Sequence, residues 1–108
     1  MHQSAVVLFF ISLSLLCATP AHAEISLERK TQLIHLLRQD CGSCHGMTMN
    51  GGLGPPLTPQ ALLDKPEDLL ENTIFYGLPE RAMPGWQGLL TREEIHWLVE
   101  QLKKGEFP

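Results

Sequence analysis

Cys41, Cys44 and His45 stand in the run Cys41-Gly42-Ser43-Cys44-His45, a C-x-x-C-H pattern. Two thiols separated by two residues suit thioether attachment to the two vinyl groups on one porphyrin edge, because a single backbone loop spans that distance. Gly42 and Ser43 are small enough not to obstruct it. The residue after the second cysteine then projects under the ring, where an imidazole nitrogen serves as proximal iron ligand. Its other nitrogen requires an orienting acceptor. Two rival chemistries fit less well. A zinc site needs four ligands, and Cys44 and His45, as neighbours, reach one tetrahedral ion with difficulty. A dithiol redox motif expects a strand ahead of it, whereas the preceding residues here pattern as a helix.

That helix is predicted from a Ser26 cap to about Asp40, with Glu28 in its first turn and Leu33, Ile34 and Leu37 forming a stripe that continues to Cys41. Residues Gly46 to Leu63 are rich in Gly and Pro, and only Thr58-Pro59-Gln60-Ala61 has the form of a helical turn. So long a loop in a small domain is expected to wrap something, and a haem face is suitable. A second main helix is predicted to open at Asp64-Lys65-Pro66-Glu67, with Asp64 as cap, and to run through Leu69, Leu70, Ile74 and Phe75 to Gly77. Leu78 to Leu90 is irregular and carries Met83-Pro84-Gly85. Thr91-Arg92-Glu93-Glu94 is a capping box for a third helix, in which Ile95, Leu98, Val99 and Leu102 recur at helical spacing before Lys103, Lys104 and Gly105. Nothing patterns as a strand, so one all-α domain of three main helices is expected.

Ala5 to Cys17 is a thirteen-residue apolar stretch broken only by Ser12 and Ser14, and Ala21-His22-Ala23 comes next after a short gap. This has the form of a secretory signal and cleavage site, giving residues 1–23 as a cleaved signal and 24–108 as the mature domain. Thirteen residues fall short of the roughly 20 that cross a bilayer as a helix. Export to the periplasm is expected, with no stable membrane insertion of the mature chain. All 12 acidic and 8 basic residues lie after Ala23, so the mature chain keeps the formal charge of −4. With no basic run longer than Lys103-Lys104, nucleic acid is excluded as a partner.

By its N-terminal helix, C-x-x-C-H, Gly-Pro turn, Met-Pro loop and amphipathic last helix, residues 24–105 resemble a class I cytochrome c. The resemblance implies a small cytochrome c fold wrapped around one haem c, attached through Cys41 and Cys44. It implies that Pro55, in Gly54-Pro55-Pro56-Leu57, supplies the carbonyl that orients His45. It also implies that Met83 is the distal ligand, so that His45 and Met83 hold the iron. More narrowly, Gly51 to Pro59 and Met83 to Leu90 resemble the NirC-type monohaem cytochromes associated with denitrification. The chain departs from the family at Leu33 and Leu37, where a glycine and an aromatic are common, and at Gln101, where an aromatic is common. Trp97, one turn earlier on the same face, is positioned to substitute.

Other candidates have plainer roles. Met47 and Met49 are expected to pack in the haem pocket, and His35 and His96 to lie on helix surfaces. Trp86 is expected to pack under the methionine loop or on the porphyrin, while Tyr76 and Arg81 are candidates for haem propionates. An iron held on both sides by protein has no open position, which suits a one-electron carrier rather than an enzyme. The resemblance implies as partners a periplasmic nitrite reductase with c and d1 haems, or enzymes of d1 haem maturation, with the carrier itself a monomer. The alternative is a five-coordinate haem sensor or ligand-binding protein in which Met83 is labile.

Overall fold

The computed structural model describes residues 23–107, and the expected signal segment, residues 1–23, lies outside them except for Ala23. The chain runs through α1 (Leu27–Leu36), a π-helical turn (Leu37–Cys41), α2 (Gly42–His45), α3 (Pro59–Leu62), α4 (Glu67–Tyr76) and α5 (Arg92–Lys104). No strand occurs among the described residues.

Ser26 caps α1 as expected, its side chain accepting from the Arg29 amide at 3.2 Å. The helix does not end near Asp40. Leu36, Leu37, Cys41 and Gly42 all keep right-handed helical dihedrals, so the backbone coils on through the π turn to His45, and the Gly42 amide donates to the Leu37 carbonyl five residues back. A π turn takes one residue more than an α turn and so rotates the C-terminal part of the helix relative to the N-terminal part. Leu33 and Leu37 are fully buried, and Cys41 packs partly buried against the same core.

The Thr58 side chain caps α3, with Pro59 at its first position. The expected Asp64 cap on α4 is not formed. Asp64 sits in the turn leaving α3, where the Lys65 amide still bonds to the Leu62 carbonyl. Pro66 occupies the cap position itself at φ −59° and ψ 144°, with no side-chain cap bond. The pyrrolidine ring steers the preceding residue out of helical conformation, so the helix starts only after it. Gly77 ends α4 as predicted.

In α5 both halves of the capping box form: the Thr91 hydroxyl accepts from the Glu94 amide at 3.2 Å, and the Thr91 amide donates to Glu94 Oε2 at 2.9 Å. Its buried residues are the four that the spacing selects, Ile95, Leu98, Val99 and Leu102. With Leu33, Leu37, Met49, Leu62 and Leu90 they make the core, and no polar side chain is buried there. Trp86 and Trp97 pack against it partly buried, and the Gln101 side-chain amide donates to the Trp97 carbonyl at 3.4 Å. By contrast, α4 buries no residue completely and lies on α5 as an outer layer.

Candidate functional site

Because the C-x-x-C-H run is helical, Cys41, Cys44 and His45 stand at i, i+3 and i+4, positions that share one helix face. Both thiols and the imidazole therefore project to the same side, and all three are half-buried. The two cysteines are free thiols. Burial, reinforced by the neighbouring Asp40 carboxylate, pushes the Cys41 thiol up to about 11.

The glycine-rich loop after α2 is held by the helix it leaves. The Gly51 amide donates to the His45 carbonyl and the Gly54 amide to the Cys44 carbonyl, each at 2.8 Å. These bonds satisfy carbonyls that a helix end leaves without partners. They also fold the loop back over the imidazole, so that His45 Nδ1 and the Pro55 carbonyl oxygen lie 2.7 Å apart. With Nδ1–H donated to that oxygen, Nε2 is left with its lone pair for a metal. A Cβ added at Gly54 would fall 2.7 Å from both Nδ1 and Cε1 of His45, so the ring fills the space a side chain would need. Two sulfurs and an oriented imidazole on one helix face, with a glycine backbone laid against the ring edge, fit a haem attached by two thioethers.

Gly42 is buried beneath two methionines, with Met47 Sδ 3.3 Å and Met49 Cε 3.8 Å from where its Cβ would be. Their fates differ: Met49 is 1% exposed within the core, despite a left-handed φ of 59°, whereas Met47 is 61% exposed.

Met83 lies half-buried in the irregular segment between α4 and α5. Tyr76, Leu78, Arg81 and Met83 share a groove of about 470 Å³ with Pro79, Ala82, Pro84 and Gly85. Cys41, Cys44 and His45 do not line it. The segment is anchored to the last turn of α4: the Trp86 amide donates to the Ile74 carbonyl at 2.9 Å, the Gln87 amide to the Phe75 carbonyl at 3.2 Å, and the Leu78 amide to the Met83 carbonyl at 3.1 Å. Gly77, at φ 71°, makes the turn possible; a Cβ there would sit 2.5 Å from the Gly85 nitrogen.

The two sequence-identified helix histidines lie apart from this arrangement. His35 is exposed on α1. His96 Nδ1 pairs with Glu71 Oε1 at 2.6 Å, and this contact holds the imidazole pKa above its ordinary value. Sequence reasoning missed Arg92, whose guanidinium reaches Asn72, Phe75 and Tyr76 on α4. Its place in the capping-box tetrapeptide gave no sign of that reach.

Residues 29–101 match the family described as "Cytochrome C oxidase, cbb3-type, subunit III". A "Cytochrome c55X" of Pseudomonas aeruginosa is 47% identical over 99 residues, covering 90% of this chain and 83% of that protein. Among solved structures, a "c-type cytochrome NirC" superposes with a TM-score of 0.74 at 51% identity, covering 76% of this chain and 96% of the other. A "Dihydro-heme d1 dehydrogenase" of Pseudomonas aeruginosa is 38% identical over 67 residues, which are 62% of this chain and 14% of that enzyme.

Proposed function

Because the chain belongs to the c-type cytochrome family that its residues 29–101 match, we propose that it is a periplasmic one-electron carrier of denitrification in which His45 and Met83 hold the iron. Its cofactor is a covalently attached haem c, and Cys41 and Cys44 are the attachment points in this reading. Residues 1–23 are the cleaved export signal, and residues 24–108 act as a monomer. The observation that supports the reading is the 2.7 Å pairing of His45 Nδ1 with the Pro55 carbonyl, which leaves Nε2 free to ligate iron.

Haem c supplies a couple that gains or loses one electron without bond changes in a substrate. The chain's part is to hold that couple in place. The Pro55 carbonyl fixes the ring plane of His45 and makes its ligating nitrogen more basic. Met83 contributes a neutral thioether, a weak donor to ferric iron that raises the potential relative to two imidazoles. Together the two side chains would hold the group from both sides and so would leave no open position for a reactant.

Denitrification is supported by the relatives' names. The enzyme named for dihydro-haem d1 contains a stretch like this chain within a much longer protein. A free carrier of the same kind suits a partner in d1 haem maturation, or a donor to a nitrite reductase with c and d1 haems. Optical spectra of the periplasmically expressed protein test the ligand pair. The ferric protein is expected to show the weak red charge-transfer band of sulfur-bound iron, and Met83→Ala to lose it while gaining carbon monoxide binding in the ferrous state. A wild type that is high-spin and binds carbon monoxide readily would instead favour the five-coordinate sensor. Stopped-flow mixing of the reduced carrier with the nitrite reductase, and of the oxidised carrier with the dihydro-haem d1 enzyme, assigns the partner. Failure of both transfers would remove the denitrification role.

A further inference from the structure

The Met83 segment is built on the end of α4, yet α4 has no completely buried residue to hold it down. Leu70, Ile74 and Phe75 pack only partly buried against the core, and the polar grip on its last turn comes from one side chain of α5. The Arg92 guanidinium lies 3.7 Å from the centroid of the Phe75 ring and 5.3 Å from that of Tyr76. Its Nη1 donates to Asn72 Oδ1 at 2.8 Å and its Nη2 to the Tyr76 hydroxyl at 3.2 Å. Three residues of the turn whose carbonyls anchor the Met83 segment are thus fixed by one planar cation. Arg92 is in turn fixed at the start of α5 by the capping box, and Glu94 of that box accepts from Arg29 Nε of α1 at 2.6 Å. Polar contacts thus tie α1 to the start of α5 through Arg29 and Glu94, and the start of α5 to the last turn of α4 through Arg92.

We propose that Arg92 is a positioning residue for the axial thioether: by locking the last turn of α4 it sets how firmly Met83 stays on iron. The inference rests on the His45/Met83 reading. If Met83 leaves iron in a minor state, an exogenous ligand binds only that state, and its apparent affinity scales with the population. Loss of the clamp raises that population. Lysine at this position keeps the charge but offers neither the flat stacking surface nor the paired donors, so it does not restore the clamp.

Carbon monoxide affinity of the ferrous holoprotein, read beside the ferric red band, tests this. Arg92→Ala and Arg92→Lys are expected to bind carbon monoxide about tenfold or more tightly than wild type while keeping covalent haem, with a weakened red band. Asn72→Ala, which removes one acceptor, is expected to move the same way by less, and carries the test if the arginine variants lose haem. Ser26→Ala destabilises the far end of α1 and is expected to leave both readouts unchanged. Arginine variants within twofold of wild type overturn the proposal, as does an equal rise in Ser26→Ala, which would mean general loosening. A Met83→Ala spectrum identical to wild type overturns the ligand reading itself, and is recognisable because it does not depend on Arg92.

Discussion

Gly54 carries no functional group, yet the His45 imidazole leaves no room for a side chain there. The hydrogen bond from the Gly54 amide to the Cys44 carbonyl brings its Cα against the His45 ring, and the ring then occupies the space a β-carbon would take. Gly54→Ala must therefore push the ring or the loop aside and lengthen the Nδ1 contact with Pro55. The expected result is about 1–3 kcal/mol of lost stability together with a shifted reduction potential, read by denaturant unfolding and by potentiometry of the haem-loaded variant. An unchanged potential would show that the Pro55 contact does not tune the ligand. The motif, its five residues and the glycine-proline turn were all legible in the sequence. The closeness of Gly54 to the ring was not, because it depends on where a loop returns nine residues later.

At the scale of elements, α4 and α5 meet through exposed polar pairs rather than through fully buried side chains on both sides. His96 and Glu71 make one of them, and the direction of the imidazole's shift sets its pH dependence. The hydrogen bond His96 donates to Glu71 is the largest cause of the raised pKa, with burial opposing and the Glu71, Glu100 and Glu67 charges adding to it. A group whose pKa is raised on folding contributes stability in full below its unfolded pKa, and that contribution is lost as pH rises through the folded value. The pair is solvent-exposed, so its worth is about 0.5 kcal/mol. Thermal unfolding of wild type is expected to lose roughly 2–4 °C relative to His96→Gln as pH rises from about 6 past the raised imidazole pKa. Superimposable profiles would mean that the pair contributes nothing. The caps of α1, α3 and α5 were visible in advance because each is written within four residues. The start of α4 lies beyond the expected Asp64 cap, since the proline with the look of a first-turn residue takes the cap position itself.

The whole molecule has a core of nine buried side chains and no disulfide among its described residues, little for a domain of this length to fold on alone. Haem attached at Cys41 and Cys44 would add a large apolar body against the helix face they share. Cys41→Ala with Cys44→Ala is accordingly expected to abolish compact folding, seen as loss of helical circular dichroism and of a cooperative thermal transition. A double variant that stays helical and melts cooperatively would show that the nine-residue core suffices. The sequence by itself determined the all-α class, the attachment motif, and the buried face of α5, Ile95, Leu98, Val99 and Leu102, because each rests on spacing within a turn or two of chain. Only the tertiary structure decided the π turn that carries the helix on to His45, the burial of Met49 beside the exposure of Met47, and the grip of Arg92 on the end of α4. These depend on which distant surfaces meet. A left-handed methionine or an arginine twenty residues from its partner is stabilised by packing partners that no local pattern records.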